Sequence, residues 1–458
     1  MDHSWLSTDP EVRATFETDA SGLHFVPDAV ARPTTAAEIV ELLREANTNK
    51  TSVTAAGGQT STTAASISER GVVLSLRGMT KILDVDRAAR TIRVEPGALV
   101  ADVKRQAAHD GLLFAPDPTS EEECTIGGAI ACNASGARTF KYGATRAHVR
   151  ALRVALANGD IAELRRSDLE KNTVGYAFAH DPIDWFIGSE GTLGVILDAE
   201  LSLLTLPAAV IGLAVPFSSE AAALQFVVAA REARTVTPRC IEYFDRLALE
   251  IARSADDQPS WAAGATGMVY IEQELADEGA LDSALEGWLA VAESCGALDD
   301  LRVFQSESEL RHVRRMRHAV PATMNERGAR CRADGGRKVS TDWAVPYRML
   351  HEAITMARNI ATERGVEQAV IYGHAGNGHP HQNFLARNAD ELARIEGVIE
   401  ATLRRVIAMH GTVAAEHGIG KLKRKWLPLQ MSPLQIGMMH AVKRELDPNG
   451  ILAPGNIL

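Results

Sequence analysis

The sequence predicts an α+β protein with two main parts and a C-terminal segment that returns to the first part. In the first part helices alternate with short apolar strands, and in the second part longer strands and amphipathic helices predict an antiparallel, sandwich-like α+β unit. The chain ends in a helix and an apolar tail that is too hydrophobic to remain in solvent. We therefore expect domains at 1–205 and 206–415, and a segment 416–458 that docks on the first domain.

The first part begins with a capped helix and continues into strands. In TTAAEIVELLREA, Thr35 stands three residues before Glu38, which is the spacing of a capping box, and Ile39, Leu42 and Leu43 fall on one helical face. The apolar segments TSVTAA, GVVLSL and TIRVEPG predict short strands. VRALRVALANGD ends in an Asn-Gly-Asp turn signal, so we expect a hairpin there.

The second part mixes strands and helices. LPAAVIGLAVPF, CIEYFD and ATGMVYIEQEL predict strands, whereas SSEAAALQFVVAAREA, ALDSALEGWLAVAESCG and VPYRMLHEAITMARNIATERG predict helices. EQAVIYGHAGNGHPHQNFL begins as a strand and is expected to open into a loop that carries three histidines. In the C-terminal segment, SPLQIGMMHAVKRELDPNGILAPGNIL predicts a helix that ends at Asp447-Pro448-Asn449-Gly450.

The composition disfavours several classes of protein. With 59 acidic and 48 basic residues the net charge is −11, which disfavours binding to nucleic acid or to acidic membranes. No run of about 18 apolar residues is present and the N-terminus lacks the layout of a signal peptide, so we expect no transmembrane segment and a cytoplasmic location. Peripheral attachment to the inner membrane stays compatible with this composition. The five cysteines form no C-x-x-C pair, which predicts reduced thiols rather than a metal cluster.

Three loops in the first part are rich in glycine and small polar residues. They are AAGGQTSTTAAS (55–66), PDPTSEEECTIGGAIACNASGARTFKYGATR (116–146) and IGSEGTLGVI (187–196). Glycine lets a backbone approach a ligand closely and turn its N–H groups toward it. None of the loops matches G-x-G-x-x-G after a strand or G-x-x-x-x-G-K-[ST], which disfavours a Rossmann site or a P-loop. Three such loops in one domain favour a large phosphate-bearing cofactor over ordinary surface turns.

The octapeptide HAGNGHPH carries a second pattern. His374 and His381 are separated by small residues and proline, and Glu416-His417 follows about 35 residues later. Two imidazoles and one carboxylate would give three protein ligands and leave positions open for substrate, as in a catalytic metal site. The alternative is a pair of hydrogen-bonded structural histidines. Upstream, ELRHVRRMRHAVPATM offers four arginines, of which three are expected on a solvated helix face.

These motifs, in this order, resemble the vanillyl-alcohol-oxidase type of flavoprotein. The resemblance rests on AAGGQTST, APDPTS, CTIGGAIACNASGARTFKYGATR, TVGYAF and IGSEGTLGVI, and extends from about Pro33 to Leu458. It points to the branch that contains glycolate oxidase flavin subunits, D-lactate dehydrogenases and D-2-hydroxyglutarate dehydrogenases. It implies a two-part, PCMH-type FAD-binding domain, a ferredoxin-like α+β substrate (cap) domain, and a C-terminal segment that returns to the FAD domain.

The resemblance implies noncovalent FAD, because no histidine or cysteine of the first loop is placed for attachment. Gln59 stands where relatives have a third glycine. The residues implied to contact the diphosphate, ribityl, flavin and adenosine groups are Ala56, Gly57, Gly58, Gln59, Thr60, Ser61, Pro116, Asp117, Pro118, Thr119, Gly127, Gly128, Asn133, Ser135, Gly136, Tyr142, Gly143, Gly188, Glu190, Gly191, Gly194 and Ile196.

The family motif H-x-G-[DN]-G-[NH]-x-H implies that His374, His381 and Glu416 bind one divalent metal, which could be zinc, manganese or iron. His417 would be the base that accepts the proton of the substrate hydroxyl. His379 would have a supporting role at most.

For the substrate, the resemblance implies that Arg317 grips the carboxylate and that Asn383 is a further contact. Relatives that act on dicarboxylates often carry a lysine where this chain has Ser340, and Lys338, two residues away on the same strand face, would substitute for it. This departure mildly favours a small acid such as D-lactate.

The implied activity is FAD-dependent oxidation of a D-2-hydroxy acid to the 2-oxo acid, with hydride transfer to flavin N5. Electrons would pass to a quinone, a cytochrome or an electron-transferring flavoprotein, and a homodimer is compatible with the sequence. The alternatives are a flavin subunit of a multi-protein glycolate oxidase, a D-2-hydroxyglutarate dehydrogenase, or a non-catalytic electron-transfer flavoprotein. An alkyl-dihydroxyacetone-phosphate-synthase-like enzyme is disfavoured, because Ala415-Glu416 stands where those relatives carry a run of histidines.

Overall fold

A computed structural model describes residues 3–176, 179–258 and 260–458. The chain divides into two compact units, and the last two residues of the TVGYAF motif lie outside the described residues. Unit 1 consists of the chain up to Gly136, Gly143–Leu206 and Glu416–Leu458. Unit 2 consists of Ala137–Tyr142 and Pro207–Ala415. The short segment Ala137–Tyr142 was expected within the first domain, and here it groups with the second unit.

The described residues of unit 1 form three sheets. A mixed sheet has the order β1-β2-β4-β3 and an antiparallel sheet has the order β5-β6-β10-β8-β9, while β7 pairs with β11. The strands are β1 (Leu6–Ser7), β2 (Ala29–Ala31), β3 (Val53–Ala56), β4 (Val72–Ser75), β5 (Ile82–Asp86), β6 (Thr91–Val94), β7 (Leu112–Leu113), β8 (Val149–Ala155), β9 (Ile161–Arg165), β10 (Val195–Ser202) and β11 (Leu204–Thr205). The predicted hairpin is confirmed, because β8 and β9 pair antiparallel across the Asn-Gly-Asp turn.

The helices of unit 1 are α1 (Pro10–Ala14), α2 (Ala36–Asn49), α3 (Val100–His109), α4 (Ile126–Cys132), α6 (Ile183–Phe186), α13 (Leu427–Gln430) and α14 (Pro433–Leu446). The predicted capping box of α2 is confirmed, since Thr35 accepts from the backbone N–H of Glu38 and the Glu38 side chain accepts from that of Thr35. The apolar tail adds to the edge of the mixed sheet within unit 1. There Val53 donates its N–H to Ile451 at 2.7 Å and accepts one from Ala453 at 2.8 Å.

In the part of unit 2 that the structure describes, seven strands form a sheet with the order β15-β12-β14-β13-β17-β18-β16, and its strand pairs are antiparallel. Its strands are β12 (Ala209–Phe217), β13 (Pro238–Asp245), β14 (Gly267–Leu275), β15 (Arg302–Phe304), β16 (Gly335–Ser340), β17 (Val370–His374) and β18 (His379–Asn388). Its helices are α5 (Thr139–Tyr142), α7 (Glu220–Glu232), α8 (Arg246–Ser254), α9 (Leu281–Ser294), α10 (Glu307–Arg330), α11 (Leu350–Glu363) and α12 (Ala389–Ala408).

One face of this sheet is covered by α8 and α10. Phe244 and Tyr372 are directly opposite each other on β13 and β17, and they join an apolar cluster that includes Met316 and Val320 of α10. Because side chains alternate along a strand, residues two positions from these point to the same face. The polar residues of β13, β17 and β18 described below therefore lie on the face that α10 covers.

No described helix is long and apolar enough to span a bilayer.

Candidate functional site

The three predicted cofactor loops contact one another within unit 1. A Cβ atom at Gly57 would lie 2.3 Å from Oγ1 of Thr125, and one at Gly191 would lie 3.8 Å from Cβ of Ala55. The first contact leaves no room for a side chain, so the close approach of the loops depends on glycine. The three glycine-rich motifs therefore converge within unit 1.

In the first of these loops, two carbonyl groups are hydrogen-bonded, whereas the backbone N–H groups have no acceptor among the described residues. Arg77 donates to the carbonyl oxygens of Gly57 at 2.9 Å and Gly58 at 3.0 Å. Within the described part of the chain, the backbone N–H groups of Gly57–Ser61 donate to no acceptor. Consecutive N–H groups without an internal partner form a concavity suited to an anion such as a diphosphate, so this loop fits the predicted cofactor.

Gln59 occupies a glycine-like position. Its φ of 56° lies in the left-handed region that favours glycine, and its side-chain Nε2 donates to the carbonyl of Thr18 at 2.7 Å. The departure from the family's glycine pattern is therefore compensated by a hydrogen bond, and the turn itself is kept.

Glu190, predicted to contact the adenosine end, binds the segment that follows Glu416-His417 within unit 1. Its two carboxylate oxygens accept from the backbone N–H groups of Ile419 at 2.6 Å and Gly420 at 2.7 Å. Burial raises the pKa of Glu190, and these N–H donors oppose that shift. The geometry gives Glu190 a positioning role that the sequence did not suggest.

Several other predicted cofactor residues have structural contacts. A Cβ atom at Gly194 would lie 2.4 Å from Cγ1 of Val154, and Ile196 belongs to the apolar core of unit 1. Asn133 ends α4 in the left-handed conformation and accepts from the N–H of Arg146 at 2.9 Å. Tyr142 lies in the segment that groups with unit 2. The cofactor contacts of these four residues stay predictions.

The histidine segment of unit 2 forms a tight hairpin. β17 ends at His374, one 3₁₀ turn follows, and β18 begins at His379. Gly378 closes the turn at a φ of 69°, and any Cβ there would collide with the carbonyl oxygen of Val345. The prediction of an open loop is therefore wrong for His379 and His381, which lie on a strand because β18 pairs with both β16 and β17.

The three imidazoles of this hairpin cluster in the interior. Their ring centroids are 5.5 Å apart for His374 and His379, 5.1 Å for His374 and His381, and 4.7 Å for His379 and His381. One ring nitrogen of each lies within 4.8 Å of the others. Neutral imidazole is a common ligand of divalent transition metals, so this donor set fits the predicted metal. The ring of His379 is about as close to the rings of the two predicted ligands, His374 and His381, as those two rings are to each other.

Glu242 of β13, which the sequence did not single out, contacts the cluster directly. Its Oε1 lies 2.5 Å from Nδ1 of His374, and its Oε2 accepts from Nε of Arg317 at 3.1 Å. Burial alone would raise the pKa of Glu242, but the neighbouring His374 and Arg317 outweigh it and lower the pKa to about 2. A glutamate in the apolar strand CIEYFD was the signal available in the sequence.

Asp342 links the cluster to the end of unit 2. Its Oδ1 lies 3.1 Å from Nε2 of His379, outside directed hydrogen-bond geometry, so this contact is electrostatic. The backbone N–H of Ala415 donates to the Asp342 carbonyl at 2.8 Å and reaches its Oδ2 at 3.2 Å. The residue immediately before Glu416 is therefore held by a side chain that contacts the histidines.

Glu416 and His417 belong to unit 1. Nε2 of His417 lies 3.4 Å from Oε1 of Glu416, and Oγ of Ser135 donates to Oε2 of Glu416 at 3.4 Å. The carbonyl of His417 accepts from Oγ1 of Thr63 at 3.4 Å. Within unit 1, this places the predicted base and the predicted third ligand beside a residue of the second glycine-rich loop.

Asn383 and Arg317 are both predicted to contact substrate. Asn383 lies on the same sheet face as the histidines, and Arg317 lies on α10, which covers that face. Asn383 is 1% exposed, and neither polar atom of its amide has a hydrogen-bond partner among the described residues. Burying an amide without partners is unfavourable, so this side chain fits a ligand. The guanidinium carbon of Arg317 lies 4.7 Å from the ring centroid of Tyr372, and Arg317 is only 9% exposed.

Lys338 lies near this group on β16. Ser340 is directly opposite Asn383, and Lys338 is two residues away, so the prediction that Lys338 and Ser340 share a strand face is confirmed. Burial and the positive charge of Arg317 lower the pKa of Lys338 to about 8. Its Nζ donates to Oδ1 of Asn325 at 2.9 Å.

Glu272 of β14 is a second buried carboxylate near this group, and its partners given below are arginine and tyrosine side chains. Its Oε2 accepts from Arg239 at 2.8 Å and from Arg138 at 3.2 Å, and its Oε1 accepts from the Tyr270 hydroxyl at 3.1 Å. Arg314 of α10 reaches it at 3.9 Å. Two arginines of α10 therefore contact different buried glutamates, Arg314 near Glu272 and Arg317 bound to Glu242.

Two family models match the chain. The model for FAD linked oxidases, C-terminal domain, matches residues 206–457, and the model for an FAD binding domain matches residues 27–165. The first match alone covers more than half of the chain.

Curated relatives are similar over nearly the whole chain. It is 30% identical over 435 residues to the glycolate oxidase subunit GlcD of Bacillus subtilis, covering 94% of this chain and 89% of that protein. It is 28% identical over 444 residues to a D-lactate dehydrogenase of Anaerostipes hadrus, covering 94% and 89%. It is 31% identical over 438 residues to a D-2-hydroxyglutarate dehydrogenase of Xanthomonas citri pv. viticola, covering 94% and 89%.

A solved structure of p-cresol methylhydroxylase with substrate bound has a similar fold. Its TM-score is 0.75 at 14% identity, covering 99% of this chain and 93% of that chain. At this identity the likeness concerns the fold alone. Together with the family models, it confirms the predicted α+β fold with a PCMH-type FAD-binding domain.

Proposed function

Because the chain belongs to the family of FAD-linked oxidases, we propose that it is an FAD-dependent dehydrogenase that oxidises a D-2-hydroxy acid to the 2-oxo acid. One observation carries this proposal, namely the buried cluster of three histidines that contacts Glu242, which in turn binds Arg317. The cluster supplies donors for a metal, and the arginine supplies a cation for a carboxylate. The names of the curated relatives, which include a D-lactate dehydrogenase and a D-2-hydroxyglutarate dehydrogenase, support the same substrate class.

We propose that FAD binds noncovalently to the glycine-rich loops of unit 1. The N–H groups of Gly57–Ser61, which have no acceptor in the described part of the chain, would bind the diphosphate. When bound, FAD supplies an acceptor for the hydride that leaves C2 of the acid.

A divalent metal would be held by His374, His381 and Glu416, with His379 beside them. Glu416 follows Ala415, whose N–H is bound to Asp342, and Asp342 contacts His379. This short connection supports Glu416 as the third ligand. When bound, the metal supplies Lewis acidity that lowers the pKa of the substrate hydroxyl. Zinc, manganese and iron are all compatible with this donor set.

The chain's own side chains orient the acid and move its proton. Arg317 binds the carboxylate through its guanidinium, which Glu242 holds at Nε. Asn383 donates and accepts hydrogen bonds that nothing described in the protein satisfies. His417 accepts the hydroxyl proton, and the C2 hydrogen leaves with its electron pair, so the alcohol becomes a ketone.

Within this class we favour a small acid such as D-lactate. Ser340 faces Asn383 where relatives that act on dicarboxylates often carry lysine. Lys338 on the same face keeps D-2-hydroxyglutarate as the alternative substrate, and similarity to a subunit named GlcD keeps a role as flavin subunit of a multi-protein glycolate oxidase. The electron acceptor would be a quinone, a cytochrome or another flavoprotein.

Anaerobic reduction of the purified flavoprotein by a panel of D- and L-2-hydroxy acids tests the proposal. We expect D acids to bleach the flavin, L acids to leave it oxidised, and a chelator to slow bleaching until zinc or manganese is restored. If no 2-hydroxy acid reduces the flavin, the proposed activity is wrong. If the chelator has no effect although metal has been removed, the metal role alone is wrong.

A further inference from the structure

We propose that Glu242 is a positioning residue that couples the metal site to the substrate-carboxylate site. One of its carboxylate oxygens fixes a metal-ligating histidine, and the other fixes the arginine that binds the acid. This inference rests on the proposed function, and it assigns a task to a residue outside the ligand set and outside the substrate contacts.

The first contact sets the tautomer of His374. Oε1 of Glu242 lies 2.5 Å from Nδ1 of His374, and a carboxylate can only accept there, so Nδ1 carries the proton. The lone pair then lies on Nε2, which is the atom that can ligate a metal. A carboxylate behind a ligating histidine also raises its basicity, and loss of such a partner typically lowers metal affinity by about 10–100-fold.

The second contact orients Arg317. Oε2 of Glu242 accepts from its Nε at 3.1 Å, and the guanidinium carbon lies 4.7 Å from the centre of the Tyr372 ring. The Glu242 and Arg317 side chains are 3% and 10% exposed, so little solvent competes for this pair. A guanidinium held at one edge presents a defined fork to a carboxylate.

Only a carboxylate can serve both partners. Glutamine at position 242 has one accepting oxygen and one donating nitrogen. If the nitrogen faced His374, the ring would have to carry its proton on Nε2, which is the wrong tautomer for a ligand there. If the nitrogen faced Arg317, two donors would meet, and the arginine would lose its anchor. Glu242→Gln therefore damages one of the two sites in either orientation.

The matched control is Glu272 on the adjacent strand. It is equally buried and bound to arginine, but its partners are Arg138, Arg239 and Tyr270, and none of them is a predicted ligand. If burial of an ion pair were all that mattered at position 242, Glu242→Gln and Glu272→Gln would have the same effects. Coupling predicts different effects.

The experiment uses the FAD-loaded native protein, Glu242→Gln and Glu272→Gln. Zinc affinity is measured by competition with a chromophoric chelator, and oxalate affinity by the change in flavin absorbance on titration. Circular dichroism and flavin content report folding. For Glu242→Gln we expect zinc affinity to fall by about 10–100-fold if the amide nitrogen faces His374, and oxalate binding to weaken if it faces Arg317. For Glu272→Gln we expect a lower melting temperature and zinc affinity within about twofold of native, since no ligand is disturbed.

Native affinity for both zinc and oxalate in Glu242→Gln, or equal losses in Glu272→Gln, would overturn the coupling and leave the proposed function standing. Native protein that binds neither zinc nor manganese would overturn the coupling together with the proposed metal role, whereas the proposed activity fails only if no 2-hydroxy acid reduces the flavin. If Glu242→Gln does not fold, Glu242→Asp replaces it, because it keeps two accepting oxygens on a shorter stem. We then expect smaller losses in both affinities, and native values for both would refute the inference.

Discussion

Two buried glutamates on neighbouring strands of unit 2 show how similar surroundings serve different tasks. Glu242 on β13 and Glu272 on β14 point to the same sheet face, and burial would raise the pKa of each. His374 and Arg317 outweigh burial and lower the pKa of Glu242, and neighbouring arginines do so for Glu272. Glu272 is surrounded by arginine and tyrosine, whereas Glu242 shares its charge between one arginine and His374. Burial and a lowered pKa therefore do not identify a functional carboxylate. We infer a task for Glu242 from the chemistry of its partners, because His374 is a proposed ligand.

The largest effect is expected at the histidine itself. His374→Ala removes a proposed ligand and leaves Glu242 with one partner. We expect flavin reduction by D-lactate to slow by about 10³-fold, because metal polarisation of a hydroxyl contributes several kcal/mol. Stopped-flow absorbance measures the rate, and flavin content should stay native because His374 belongs to unit 2, whereas the loop Gly57–Ser61 proposed to bind the diphosphate belongs to unit 1. A rate within about tenfold of native contradicts the ligand assignment.

The arginines of α10 sharpen the comparison. Arg317→Met should lower kcat/KM by about 100-fold or more through loss of a charge-assisted contact, whereas Arg314→Met, on the Glu272 side, should leave it nearly unchanged. Steady-state kinetics with an artificial electron acceptor measures both. Equal losses would mean that the two glutamates do not divide the arginines by task.

Glu272→Gln should act on stability. Arg138 and Arg239 would lose a buried counter-charge, and breaking such a pair costs about 3–5 kcal/mol. Because the pKa of Glu272 is lowered in the fold, its contribution is full above the unfolded value near 4.5 and is lost as pH falls below it. In urea unfolding, the free energy of unfolding of the variant should differ from that of the native protein by a constant amount between about pH 6 and 8, because this range lies above 4.5. A difference that grows on acidification contradicts this sign.

The smallest effect concerns Lys338. Burial and Arg317 lower its pKa to about 8, so its positive charge is lost as pH rises through that value. If Lys338 contacts the acid, the KM of the native protein should rise above about pH 8. Lys338→Met should raise KM below that pH by about 3–10-fold, as for loss of a partly buried charge, and should remove the pH dependence of KM. A pH profile of KM that is the same in both proteins removes Lys338 from the substrate site.

Local signals in the sequence predicted local structure well. The capping box at Thr35 and the Asn-Gly-Asp hairpin are short-range patterns, and both are confirmed. The order of the glycine motifs indicated the family. What the sequence hid depends on long-range pairing. His379 and His381 lie on a strand because β16 and β17 flank it, and the charged partners of Glu242 and Glu272 are distant in sequence. Register between distant strands decides which polar residues meet, and no single segment encodes it.

The rate of anaerobic flavin reduction by D-lactate in the native protein, Glu242→Gln and Glu272→Gln, each saturated with zinc, tests the division between the two glutamates together with the proposed reaction. We expect D-lactate to bleach the native protein and Glu272→Gln at similar rates, and Glu242→Gln at least about tenfold more slowly. If no D-2-hydroxy acid reduces the flavin of the native protein, the proposed reaction is wrong. If the two variants are reduced at equal rates, the division of tasks between Glu242 and Glu272 is wrong.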